Sequence, residues 1–89
     1  MKKLYASTVM KNEHTTGTIN YYKILDEKYG IEIVKTEYRP DCTKVENKSI
    51  KYVTNDEIEA NEILNIFKEN QVTPINSEEV IMDLFRKKF

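Results

Sequence analysis

Cysteine and histidine occur once each in these 89 residues, tryptophan not at all, and glycine and proline twice each. Each scarcity closes off a class of function. One cysteine, Cys42, cannot build an internal disulfide framework, which agrees with a reducing compartment. Cys42 and His14 stand far apart, with no Cys-x-x-Cys or His-x-x-x-His pair, so no metal site is expected. Two isolated glycines cannot form a phosphate-cradling loop or a dinucleotide fingerprint. No apolar run approaches the roughly 20 residues that span a bilayer. Lys2 and Lys3 open the chain, but Ser7 and Thr8 interrupt any signal-peptide core, so a cytoplasmic location and no membrane partner are expected.

A net charge of −1 creates no global field for nucleic acid or anionic membrane. Ten Lys/Arg and seven Asp/Glu fall in residues 1–53, four and eight in residues 54–89, so the C-terminal part is the acidic one. Acidic, solvated helix faces account for that asymmetry. Hydrophobic content of 39% and charged content of 33% fit one small globular domain over residues 1–89.

The clearest local signal runs from Val53 to Phe85. Thr54 and Glu57 have the spacing of a capping box, and Val53 and Ile58 that of a hydrophobic staple, so a helix over about 55–69 is predicted. Its apolar positions are Ala60, Ile63, Leu64 and Phe67, and Asn70 is the expected left-handed C-cap. The device recurs with Ile75, Asn76, Glu79 and Val80, which predicts a second helix over about 77–87. Its apolar face is Val80, Ile81, Leu84 and Phe85, and Arg86, Lys87 and Lys88 sit at the favourable end of its dipole.

Upstream, strand formers recur in four stretches, about 3–10, 18–26, 31–38 and 47–53. The first is expected to show Leu4, Ala6 and Met10 on one face. The second has apolar residues on both faces, Ile19, Tyr21 and Leu25 against Tyr22 and Ile24. Residues 26–30 read as a turn, with Gly30 free to take a positive φ, and residues 39–44 break the pattern at Pro40. The order β-β-β-β-α-α predicts an α+β fold, a four-stranded antiparallel sheet covered on one face by the C-terminal helix pair.

Three segments, Tyr29–Ile33 (Y-G-I-E-I), Val72–Ile75 (V-T-P-I) and Glu78–Phe85, resemble a family of short Gram-positive, mostly clostridial proteins known only as a domain of unknown function. The resemblance implies a bacterial cytoplasmic setting and brings no activity, cofactor or catalytic residue.

No catalytic constellation emerges. Cys42 lacks a base and reads as a small, partly buried loop thiol. The carboxylate pairs Asp56–Glu57 and Glu78–Glu79 sit at helix starts, where capping explains them. The expectation is a non-catalytic protein-interaction or regulatory module without cofactor, docking a protein partner or a second copy of itself. Its candidate contact residues are Tyr5, Tyr21, Tyr22, Tyr38 and Tyr52 on the sheet and Glu59 and Glu62 on the first helix. The alternative is single-stranded nucleic-acid binding, with Tyr5, Tyr21, Tyr22, Tyr29, Tyr38 and Tyr52 beside Lys3, Lys23, Lys35 and Lys51 as a stacking platform.

Overall fold

A computed structural model describes residues 1–11 and 15–88. The elements are β1 (Lys2–Lys11), β2 (Thr16–Asp26), β3 (Lys28–Tyr38), β4 (Thr43–Thr54), α1 (Glu57–Glu69) and α2 (Ser77–Lys88). The strands form one antiparallel sheet in the order β1-β2-β3-β4, and the helices lie against one of its faces. The expected α+β fold is therefore the observed one. Its Cα extents are 43 × 28 × 16 Å, a slab two layers thick.

Cross-strand register explains which side chains the helices cover. Ala6, Tyr21, Ile33 and Lys48 form one row across the four strands on the helix side, and Thr8, Ile19, Lys35 and Glu46 form the next. Ile19, Tyr21, Ile31 and Ile33 are fully buried there, beneath Leu64 and Phe67 of α1, with Ala60 and Ile63 almost so. Further along the same face the register passes from Ile31 and Ile33 to Lys35 and Glu37 in β3, and from Ile50 to Lys48, Glu46 and Lys44 in β4. Eleven-residue strands run about 36 Å, whereas α1, with 13 residues, runs about 20 Å. The sheet outlasts its cover, and charge replaces apolar side chains where the cover ends.

Several local expectations change. β1 carries a bulge between Leu4 and Ala6, so the extra residue, Tyr5, reverses the alternation and puts Leu4 on the face opposite Ala6 and Met10. Gly30 has no positive φ; the β2–β3 turn is made by Glu27, at φ 68. Gly30 instead admits close backbone, since a Cβ there would lie 2.5 Å from the Ile50 carbonyl oxygen. Opposite it β4 bulges over Lys51–Val53, with Tyr52 at φ 59, and this turn of the strand hands the chain to α1.

The N-cap of α1 is Asp56, not Thr54: the Asp56 carboxylate accepts from the Ile58 N–H at 2.9 Å, and the Thr54 hydroxyl accepts from the Asp56 N–H. Ile58 and Ile75 both face solvent, so neither staple closes. Asn76 spends its side chain on the preceding turn, accepting from the Thr73 N–H and hydroxyl, while its carbonyl accepts from the Val80 N–H to open α2. Asn70 is the C-cap of α1 but keeps φ −98; Gln71, at φ 49, is the left-handed residue.

Candidate interaction surface

Lys23 fastens the sheet to α1. Its ammonium donates to the Glu57 carboxylate at 2.8 Å and to Asn61 at 3.0 Å, and stands 5.9 Å from the Tyr29 ring centre. Tyr5, swung to the helix side by its bulge, donates to Asn65 at 3.0 Å. Tyr21 is deeper still. It is wholly buried, meets Phe67 edge-on at 6.4 Å between ring centres, and donates to the Val72 carbonyl at 2.7 Å. Burial pushes its phenol up to about 12.

The tyrosines grouped by sequence are thus dispersed by the fold. Tyr21 is a core residue and is withdrawn from the contact set, because a side chain with no solvent exposure touches no partner. Tyr5 is half-buried and tied to α1. Tyr22 and Tyr38 lie on the opposite, open face, six positions apart in register, about 20 Å along the strands. Tyr52 is exposed in the β4 bulge. On α1, Glu62 is exposed and Glu59 half-buried and partnered. No continuous stacking platform results from this placement.

The open face is built from four full cross-strand rows: Leu4–Tyr22–Glu32–Ser49, Ser7–Asn20–Val34–Asn47, Val9–Thr18–Thr36–Val45 and Lys11–Thr16–Tyr38–Thr43. No described element covers it. Lys11 stands at the outer end of the last row. Glu32 is the one acidic residue in these rows, and its charge is met on the spot: Lys2 donates at 2.8 Å and the Ser49 hydroxyl at 3.0 Å. The Lys2 hydrogen bond holds the Glu32 carboxyl below the usual carboxylate range, and Lys2 is raised by the same partner. Lys2 also lies 4.7 Å over the Tyr22 ring, and Ser7 donates to Asn20 at 2.7 Å. Around this neutral middle, Leu4, Val9, Tyr38 and Val45 are each more than half exposed, Val9 most at 68%. Val45 lies between the break at residues 39–44 and the strand expected from residue 47, where the sequence carries no strand signal. Its neighbours Lys44 and Glu46 are charged and carry no apolar alternation.

Other candidate chemistry is thin among the described residues. No group of three His, Cys, Asp or Glu side chains comes together as a metal site. Cys42 is exposed rather than partly buried, at the turn closed by the Arg39 N–H to Cys42 carbonyl bond. His14 lies outside the described residues. No described helix is long and apolar enough to cross a membrane.

The family model that matches is a family of unknown function, DUF6514, and it covers residues 1–87. The chain belongs to that family. No curated protein and no solved structure matches. The match runs through all six elements, ending one residue before the end of α2.

Proposed function

We propose that this protein is a small non-catalytic interaction module that docks a protein partner on the open face of its sheet. The observation that carries the reading is the face itself: left uncovered by the described elements, neutral through its middle, and bearing half-exposed Leu4, Val9, Tyr38 and Val45 in a chain one-third charged. Depletion of charge with retained aromatic and aliphatic area is the compositional mark of interface cores. Four strands about 4.8 Å apart and about 36 Å long present roughly 700 Å², close to the roughly 800 Å² that one partner contributes to a standard interface.

Val9→Glu and Tyr38→Glu test it. Both side chains are exposed, so each variant is expected to keep its melting temperature. Capture of the partner from nuclease-treated host lysate, quantified by mass spectrometry, is expected to fall about tenfold or more, because the new charge is desolvated on docking. Equal yields of the same proteins with wild type and both variants would remove the reading. Capture that is lost on nuclease treatment and on Tyr22→Ala would mark nucleic acid as the partner instead.

A further inference from the structure

β4 is a sheet edge, with β3 on one side and no described strand on the other. Edge strands are templates for pairing, and proteins commonly guard them with charge. The charges on this edge alternate in sign along Lys44, Glu46 and Lys48, all on the helix side of the sheet. We infer that two copies of this chain pair β4 to β4, antiparallel, about a two-fold axis at Asn47, joining their sheets into one of eight strands.

Register carries the argument. Paired residues in a continuous sheet share a face, so a strand pairing with its own copy must centre on a residue. Centred on Asn47, Glu46 stands opposite the partner's Lys48, and Lys48 opposite the partner's Glu46. Each already has a neighbour of opposite sign in its own chain, Glu46 with Lys44 at 3.2 Å and Lys48 with Glu78 at 2.6 Å. Pairing therefore continues an alternation of charge, Lys44, Glu46, the partner's Lys48, the partner's Glu78. On the open side Val45 meets the partner's Ser49, and Lys44 meets the partner's Ile50 on the helix side. Moving the centre to Glu46 sets that carboxylate against its own copy and Lys44 against the partner's Lys48. Moving it to Lys48 opposes two ammonium groups. The β4 bulge at Lys51–Val53 ends the regular strand just beyond Ile50, so Lys44 to Ile50 is the length that pairs.

A groove of about 440 Å³ lies at this centre, lined by Glu46, Asn47 and Lys48 together with Pro74, Ile75 and Glu78 of the turn before α2 and its first residues. Ile75 is 83% exposed there, the most exposed large apolar side chain among the described residues. The two-fold that joins the strands brings the partner's Ile75 to the same place, which gives this residue an apolar neighbour. The β1 edge lacks such a pattern, for its described charges, Lys2, Lys3 and Lys11, all have one sign.

Sedimentation velocity over a concentration series tests the pairing. Wild type is expected to pass from monomer to dimer. Glu46→Lys and Lys48→Glu each turn two cross-strand attractions into repulsions, so each alone is expected to weaken the dimer about tenfold. Mixed together, the two variants again oppose unlike charges and are expected to form a heterodimer at near wild-type strength, an outcome that misfolded variants would not produce. Wild type that stays monomeric throughout, single variants that dimerise like wild type, or a mixture that stays monomeric would each overturn the inference. Val9→Glu and Tyr38→Glu lie off this edge and are expected to dimerise normally, so failure here and failure of the open-face reading are separable.

Discussion

Tyr21 is where local chemistry and packing are most tightly joined. Its ring is core, and its hydroxyl supplies the donor that the Val72 carbonyl would otherwise lack after the end of α1. Tyr21→Phe keeps the ring and strands the carbonyl, and is expected to cost about 1–1.5 kcal/mol in urea denaturation. The same burial sets a pH dependence. The phenol titrates near 10.0 when unperturbed and at about 12 in the fold. The folded state holds the proton more tightly, so this contribution is complete below pH 10 and is lost as pH rises from 10 towards 12. Wild type is expected to lose stability over that window, and Tyr21→Phe to lack that part of the loss. Gln71 offers the opposite experiment. Its φ of 49 is a conformation that costs a side-chain-bearing residue about 1 kcal/mol and glycine almost nothing. The bonds around it, Val72 N–H to the Phe67 carbonyl and Gln71 N–H to the Lys68 carbonyl, form a Schellman motif in which glycine is the usual occupant. Gln71→Gly is therefore expected to raise the melting temperature by about 4–8 °C in calorimetry, and Gln71→Val to lower it.

The two helices are not equivalent elements. α1 buries Ala60, Ile63, Leu64 and Phe67 and is tied to the sheet by Lys23–Glu57 and Tyr5–Asn65. α2 buries Ile81, with Val80, Leu84 and Phe85 only partly covered. Apolar area removed from water contributes about 25 cal/mol per Å², so α2 is held less firmly. Native-state hydrogen exchange is expected to show α2 amides opening at a lower free energy than those of α1 and β2; equal protection in both helices would count against this. Sequence periodicity disclosed both helices, because caps and apolar spacing are local. It misplaced the first cap by two residues, since Thr54 and Asp56 both accept at that corner and strand β4 claims Thr54. The strands were found but drawn short. Lys35, Glu37, Lys44 and Glu46 replace apolar residues on the helix side of β3 and β4 and hide the alternation there.

At the scale of the molecule, two surfaces of different character share one sheet. The open face is neutral through its middle and partly apolar, and the β4 edge is charged in alternation. Joined through β4, two copies would place their open faces side by side, so the proposed pairing enlarges the proposed docking surface without occupying it. The candidate site was legible only in part. Apolar residues on both sides of the second strand, Tyr22 and Ile24 behind Tyr21 and Leu25, revealed a face that is not wholly polar. Which tyrosines belong to that face was beyond reach, because a single inserted residue inverts a strand. The bulge at Tyr5 sent Leu4 outward, and the position of α1 made Tyr21 core while Tyr22, one residue on, stayed on the open side.

By itself the sequence determined the element order, the antiparallel α+β class, the apolar faces of both helices and the lack of metal-spacing and phosphate-loop motifs. These depend on interactions between residues a few positions apart, which composition and spacing carry directly. Tertiary structure alone decided where the helix layer stops, which side of each strand it covers, and which residues stand opposite one another across β4. Those follow from register and bulges, where displacement by one residue exchanges inside for outside and no local signal marks the shift.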